Sequence, residues 1–238
     1  MIPHISIDNS VDPLYLEYFK ELKALGFSGD IEYSYAARLA VGVDNSVYQQ
    51  LPQGVILPKC IKDVQLAVEL AAKPHYEAVT FAPRGGGTGT NGQSLTPGVT
   101  MDMSRHMRLI SDLNTTERTV HVEPGVIKDY LNSQIKKYGL FFSPELSTSN
   151  RATFGGMIST DASGQGSLKY GRTSRHVINV DMVLIDGSLV NFHQVSGAEL
   201  EAKLAQQDLE GEVYRTVYEI VTSKQAEIEA RFPKLNRF

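Results

Sequence analysis

The chain has 238 residues, enough to bury a sizeable core either as one large domain or as two smaller lobes. Its 23 basic and 27 acidic residues give a net charge of −4 with the basic side chains dispersed, which excludes the electrostatic footprint of a DNA- or RNA-binding surface. A single cysteine, Cys60, excludes an internal disulfide and any cysteine-rich zinc or iron–sulfur site built from this chain alone.

The first residues, Met1-Ile2-Pro3-His4-Ile5-Ser6, lack the basic-then-apolar order of a leader, and no stretch of roughly 18 residues is uncharged and apolar. The expectation is a cytoplasmic chain without a transmembrane segment, any membrane association being left to a partner or a further domain. Residues 11–26 carry Leu14, Tyr15, Tyr18, Phe19, Leu22 and Leu25 at helical spacing behind Asp12 and Pro13, a cap and a first-turn residue. Residues 34–50 mix small and aromatic side chains around Asp44-Asn45 and read as turns and a short helix. Gly54-Val55-Ile56-Leu57-Pro58 reads as a strand and Val79-Thr80-Phe81-Ala82 as another. Between them residues 63–73 read as a helix with Ile61, Val64, Ala67, Val68 and Ala71 on one face and Cys60 buried at its start. Together these predict a β–α–β unit that delivers a glycine-rich run.

Residues 99–103 and 109–113 read as a strand and a near-strand, and Arg118-Thr119-Val120-His121-Val122-Glu123 alternates cleanly as a third. After a turn at Pro124-Gly125, a helix is predicted to turn Ile127, Tyr130, Leu131, Ile135 and Tyr138 inward and to stop at Gly139, a residue suited to the left-handed cap. A long loop of small residues spans 144–171. Residues 177–185 form an apolar strand, Asp186-Gly187 a hairpin turn and residues 189–192 its return. Helices are predicted near 197–207 and 212–231, the second with Val213, Val217, Ile220, Val221 and Ile228 facing in. The closing residues pass a helix-stopping Pro233 and end on Phe238 without a polar fade, the pattern expected of a piece of a longer chain.

The most informative run is Pro83-Arg84-Gly85-Gly86-Gly87-Thr88-Gly89-Thr90-Asn91-Gly92-Gln93-Ser94. It carries no lysine, so its groups for an anion are backbone N–H groups and hydroxyls, and glycine lets such groups converge closely on a pyrophosphate. Two better-known motifs fit the same letters. Residues 87–92 spell G-x-G-x-x-G, but that fingerprint has meaning only where it opens a helix, and here a Pro97-Gly98 turn leads into a strand. The spacing from Gly87 to Ser94 also fits the P-loop, except that Gln93 stands where the phosphate-binding lysine belongs, which argues against triphosphate hydrolysis. A plain surface turn has little reason to carry three consecutive glycines, whose ordering is entropically costly. The second loop packs Ser147, Thr153, Ser159, Ser163 and several glycines into one stretch, able to wrap a ribose and a ring system. The alternative, an ordinary long loop, is uncommon in compact domains.

Five segments recur in a familiar order: the glycine loop, Val122-Glu123-Pro124-Gly125-Val126, Pro144-Glu145 leading to Phe154-Gly155-Gly156, Lys169-Tyr170-Gly171, and Val183-Leu184-Ile185-Asp186-Gly187. Over residues 54–192 the chain resembles the flavin-binding domain of the vanillyl-alcohol oxidase / p-cresol methylhydroxylase (PCMH-type) superfamily. Within it, the chain looks most like the D-2-hydroxyacid dehydrogenase branch, whose members oxidise D-lactate, D-2-hydroxyglutarate or glycolate. The resemblance implies an α+β fold of two lobes with FAD between them. Residues 1–50 would be an N-terminal helical extension, 51–112 the first lobe and 113–238 the second, the C-terminal cap domain being absent.

By the same resemblance Arg84, Gly85, Gly86, Gly87, Thr88, Gly89, Thr90, Gln93 and Ser94 match the pyrophosphate loop. Pro144, Glu145, Ser147, Thr153, Gly155, Gly156, Ser159 and Gly164 match the segment that meets ribose and isoalloxazine, and Val183 falls where relatives offer backbone to the adenine. Relatives with covalent flavin place a histidine in or beside the glycine loop, where this chain has Thr88 and Thr90, so noncovalent FAD is expected. Gly155-Gly156-Met157 and Asp161-Ala162-Ser163-Gly164 depart from the branch's usual Gly-Gly-Asn and Asn-Ala-Gly-Gly. The family's substrate-binding and catalytic groups lie on the cap. None of His4, His75, His106, His121, His176 and His193 lies in a glycine-rich loop, and each is read as a surface or structural residue, His176 being nearest to the second loop. Arg172 and Arg175 read as solvated loop arginines, with phosphate or carboxylate pairing as the alternative. No catalytic residue or metal ligand is assigned. The expected function is the FAD-binding part of an oxidoreductase taking a D-2-hydroxyacid, of the D-lactate or D-2-hydroxyglutarate type, to a 2-oxo acid, completed by the cap, with or without an iron–sulfur domain. The alternative is a flavin-nucleotide domain with a structural or assembly role.

Overall fold

The computed structural model describes residues 10–232. The expectations about residues 1–6, about His4 and about residues 233–238 lie outside it. Asp12 caps the first helix, α1 (Pro13–Ala24): its carboxylate accepts from the Leu14 N–H at 2.8 Å, and Pro13 sits in the first turn, where a missing donor leaves no hydrogen bond unmade. Tyr15, Tyr18, Phe19 and Leu22 are buried as the periodicity predicts, while Leu25, at the C-cap, is exposed.

An edge strand not predicted from the pattern, β1 (Asp30–Glu32), comes next, followed by α2 (Tyr35–Val41) with Ser34 as its cap. β2 (Gly54–Leu57) is buried along its length and leads to α3 (Ile61–Ala71), which turns Val64, Ala67 and Leu70 inward. Ile61 and Cys60 are exposed, contrary to the burial expected of both. The helix starts two residues earlier than predicted, and Asp63 is the first-turn side chain that turns in. Its carboxylate accepts from the Ser28 N–H and hydroxyl and from the Lys59 N–H at 2.7–2.8 Å, so this buried charge is fully hydrogen-bonded.

β3 (Phe81–Arg84) and β4 (Val99–Asp102) complete a four-stranded sheet ordered β1-β2-β4-β3, with β1 antiparallel and the other pairs parallel. The predicted β–α–β unit exists in chain order, but its two strands do not pair. β4 inserts between them, Val99 standing in register with both Gly54 and Phe81. Val99 and Met101 are among the most buried side chains, which suits the strand with a neighbour on each side. The first core gathers Tyr18, Leu22, Phe27, Ile56, Leu70 and Val99 between this sheet and α1 and α3. Burial of each large side chain contributes about 1.5–3 kcal/mol. The Tyr18 hydroxyl is satisfied by the Ala67 carbonyl at 2.7 Å, and burial pushes its pKa far up.

A second core forms around Val126, Leu131, Ile135 and Phe154. It is covered by the antiparallel pair β5 (Ile110–Asn114) and β6 (Thr119–Val122) and by α4 (Lys128–Ile135), whose tail ends at Gly139 with φ +71° as predicted. Tyr130 and Tyr138, expected inside, are about half exposed, because α4 is short and only its Leu131–Ile135 stripe meets the sheet. The region expected to be one long loop holds two short helices, α5 (Phe154–Ser159) and α6 (Ser167–Tyr170).

The hairpin β7 (Asn179–Val183) and β8 (Leu189–His193) turns at Gly187, φ +85°, and rests on α3, where Gln65 Nε2 donates to the Gly187 carbonyl at 3.0 Å. Residue 112 lies within β5, and α1 and β1 belong to the first core and sheet, so neither expected domain boundary falls between packed units. Three helices follow: α7 (Gly197–Ala205), α8 (Leu209–Ser223) and α9 (Gln225–Arg231), the last two separated at Lys224 where one helix was predicted. Val217, Ile220 and Val221 are 55%, 54% and 52% exposed, not turned in. Their spacing places them on one face, which is left about half exposed. Among the described residues no helix is long and apolar enough to cross a membrane.

Candidate cofactor site

β3 ends at Arg84, and residues 85–94 loop out before β4 returns. Gly87 sits at φ +61°, a left-handed conformation that most side chains resist. Gly85 and Gly86 are required for a different reason: a Cβ on the first would collide with Thr153 Oγ1, and on the second with the Arg151 carbonyl. The two glycine-rich loops, far apart in sequence, therefore touch backbone to side chain. Among the described residues the successive N–H groups of Gly86, Gly87, Thr88, Gly89 and Thr90 donate to no acceptor. A run of such groups forms a concavity for an anion.

Arg84 is directed away from that concavity. Its Nη2 donates to the Val43 carbonyl at 2.8 Å, and Nη1 reaches the Val41 carbonyl and Ser94 Oγ, each at 3.3 Å. Burial lowers its pKa, opposed by the carboxylates of Asp102 and Asp44. The segment it grips is a pinched loop: Val43 bridges Gln49, and the Asp44 carboxylate accepts from the Ser46 N–H at 2.8 Å. The Asn45 N–H donates to the Gly87 carbonyl at 3.1 Å. Gln93 tucks under Gly89 and accepts from the Asn91 N–H at 3.1 Å, while Ser94 also faces Asp44.

The second loop is fixed from behind. Phe154 N–H and Gly155 N–H donate to the carbonyls of Val126 and Pro124 at 3.0 and 2.9 Å. Gly164 is pressed so closely against the Glu145 carbonyl that no side chain fits, and its N–H donates to Ser167 Oγ at 3.0 Å. Asp161, at φ +44°, accepts from the Ser174 N–H at 3.0 Å and from Arg172 Nη1 at 3.2 Å. The Ser174 backbone bond comes first among the causes that hold its carboxyl below the usual range, with Arg172 adding to it. Thr153, 3% exposed, keeps a buried hydroxyl with no hydrogen-bond partner directly behind Gly85.

Between the loops lies an open cleft of about 510 Å³. Asn45, Thr88 and Thr90 line one side; the 145–148 turn and residues 163–165 line the other. Thr88, Thr90, Glu145, Ser147 and Gly164 are thus brought together as the sequence predicts. Gly85, Gly86, Gly87, Gly89 and Gln93 form the body of the loop, and Pro144 is buried behind Glu145. Ser159 instead donates to the Gly155 carbonyl within α5 at 2.8 Å, and Gly156 is exposed on the same helix. Val183 packs towards the first core and does not line the cleft. Asn45, Thr148 and Gln165 line it without having been predicted. A smaller groove, about 360 Å³ between Arg108–Leu113 and Tyr130–Tyr138, mixes aliphatic and aromatic side chains with Arg108, Gln134 and Lys137 and has no glycine loop.

The lining offers hydroxyls at Thr88, Thr90, Ser147, Thr148 and Ser163, carboxamides at Asn45 and Gln165, none of them hydrogen-bonded to another described residue, the carboxylate of Glu145 and, among the described residues, no cationic side chain. Such a donor set suits a nucleotide cofactor held through phosphate oxygens, ribose and ring heteroatoms. With no helix opening on the loop and no lysine in it, the molecule falls among dinucleotide binders that use neither the Rossmann turn nor the P-loop.

Comparison with known proteins narrows this to flavin. The family described as "FAD binding domain" matches residues 52–193, and the chain belongs to it. Over its whole length the chain is 51% identical to a D-2-hydroxyglutarate dehydrogenase of Escherichia coli, of which it covers 23%. Over 74% of its length it is 30% identical to glycolate oxidase subunit GlcD of Bacillus subtilis, of which it covers 36%. Among solved structures, an alkyldihydroxyacetonephosphate synthase aligns over 83% of the chain and 38% of its own, with TM-score 0.68 at 24% identity, a likeness of fold. The fold is the PCMH-type α+β FAD-binding domain, and FAD is the cofactor that the free N–H groups and hydroxyls of the cleft fit. The chain spans about a quarter of the dehydrogenases it matches end to end.

Proposed function

We propose that this chain is the flavin-holding part of a dehydrogenase that oxidises a D-2-hydroxyacid, D-2-hydroxyglutarate foremost, to the 2-oxo acid. The single observation that carries the reading is the unbroken similarity to D-2-hydroxyglutarate dehydrogenases across the whole chain, including segments outside the family's own match at 52–193. FAD, when bound, supplies the hydride acceptor for that oxidation.

The residues divide the binding work. The N–H groups of residues 86–90, with the hydroxyls of Thr88 and Thr90, receive the pyrophosphate; Thr153 backs Gly85 and sets how closely the two loops approach. Ser147, Thr148, Ser163 and Gln165 hold the ribose and ring edges from the facing loop. Arg84 acts as a positioning residue through Val41, Val43 and Ser94 rather than as a phosphate ligand. Among the described residues no histidine lines the cleft, and in this reading a cap outside these residues would carry the base and the carboxylate-binding groups. An iron–sulfur domain in the remaining length would take the electrons onward, and the complete protein would work in the cytoplasm. In this reading FAD is held noncovalently, which agrees with the absence of histidine, cysteine and tyrosine from the cleft lining among the described residues.

The reading is tested on the protein as its gene encodes it, by anaerobic addition of D-2-hydroxyglutarate, D-lactate, glycolate and the L-enantiomers while the flavin absorbance is followed. Bleaching by a D-2-hydroxyacid and not its mirror image is expected. A protein that binds FAD but is bleached by none of them has a structural flavin instead. Heat denaturation should release a species with the mass of free FAD; flavin that stays with the polypeptide overturns the noncovalent assignment.

A further inference from the structure

We infer that Asn45 is a cofactor ligand, its carboxamide donating to a pyrophosphate oxygen, and that residues 41–45 with Tyr48 are a strap that sets the shape of the glycine loop. The inference rests on the reading of the cleft as the FAD site and goes beyond it, because Asn45 precedes the residues that the family match covers.

Four independent contacts tie strap to loop. The Asn45 N–H donates to the Gly87 carbonyl at 3.1 Å, at the one position of the glycine triplet with left-handed φ. Arg84 closes on the carbonyls of Val41 and Val43. Ser94, at the far end of the loop, faces the Asp44 carboxylate at 3.5 Å. Tyr48 lies beside Gly92, close enough that a Cβ there would stand 3.1 Å from its ring. The strap therefore holds both ends and the apex of the loop.

The same pinch turns Asn45 into the cleft. Asp44 spends its carboxylate on the Ser46 N–H, and Ser46 Oγ accepts from the Tyr48 N–H at 3.1 Å, so the neighbours' polar groups are consumed locally. Asn45 alone of the three lines the cleft, beside Thr88 and Thr90, and its carboxamide has no hydrogen-bond partner among the described residues. Beside a row of unpaired N–H groups, the complementary role is that of a further donor to the same anion. Val47, 92% exposed, points away and provides an internal control.

The experiment compares FAD affinity, by quenching of flavin fluorescence, for the unsubstituted protein as its gene encodes it and for Asn45→Ala, Asn45→Asp and Val47→Ser, with the melting temperature of each FAD-free form recorded. One lost hydrogen bond to a charged oxygen predicts about tenfold weaker binding for Asn45→Ala. Asn45→Asp should be weaker still, since the isosteric carboxylate repels a phosphate, whereas a ribose hydroxyl would tolerate it. Val47→Ser should bind as the parent does, and all FAD-free melting temperatures should agree. Affinities of both Asn45 variants within twofold of the parent, or Asn45→Asp binding better than Asn45→Ala, would overturn the proposal. A parent that fails to bind FAD overturns the cofactor reading itself, a distinct result seen before any variant is compared.

Discussion

Thr153 stands directly behind Gly85, so close that the hydroxyl occupies the place a Cβ would take. Thr153 is β-branched and buried and cannot swing aside. Gly85→Ala should therefore destabilise the protein by about 1–3 kcal/mol through overpacking and weaken FAD binding as the loops separate. Thr153→Ala in the same chain should recover part of the loss. Urea unfolding of the two single variants and the double variant checks this, and strictly additive effects would mean the loops do not press on each other.

The Thr153 hydroxyl is closed off from the cleft and has no hydrogen-bond partner among the described residues. A buried hydroxyl without a partner costs about 1–3 kcal/mol. Thr153→Val, which keeps the shape, should leave the FAD-free protein as stable or more stable, with FAD affinity unchanged. A variant that loses stability without FAD and keeps full affinity would place the hydroxyl's partner inside the protein.

Arg84→Gln should unclasp the strap. Hydrogen bonds from a charged donor contribute about 1.5–3 kcal/mol, and two carbonyls and the Ser94 hydroxyl would lose theirs. The expected outcome is faster protease cleavage within residues 85–94 and weaker FAD binding, with the far hairpin unaffected. Limited proteolysis read by mass spectrometry distinguishes local loosening from global unfolding.

Acid should loosen the second loop before the cores. The Asp161 carboxyl titrates below its ordinary value in the folded state, held there by the Ser174 backbone bond first and by Arg172. A depressed folded value means that the stabilisation is complete above the unfolded pKa, about 3.9 for aspartate, and is lost as pH falls through the folded one. Asp161→Asn keeps the shape and tolerates φ +44°. It should flatten the fall of the urea midpoint between about pH 5 and 2. An unchanged acid limb would show that this carboxylate contributes nothing to it.

The sequence read most clearly where local chemistry decides structure. Asp12-Pro13 capping α1, Gly139 ending α4's tail and Asp186-Gly187 turning the hairpin all follow from backbone preferences of single residues. The glycine loop was legible because three glycines, no lysine and no following helix leave few uses for such a run. Burial of α8 was not legible: periodicity says that Val217, Ile220 and Val221 share a face, not that anything covers it. Nor was Asn45, whose role depends on the Val43–Gln49 bridge and on Arg84, neither of which leaves a mark at residue 45.

By itself, then, the sequence determined most helices and strands and the glycine loop, because caps, turns and glycine backbones act over a few residues, and the flavin family through five segments that recur in a familiar order. Only the tertiary structure decided that β4 lies between β2 and β3, that Thr153 backs Gly85, and that Asn45 borders the cofactor cleft. Those are pairings between segments tens of residues apart, chosen by which surfaces bury together and which hydrogen bonds are satisfied at once, and no local preference encodes them.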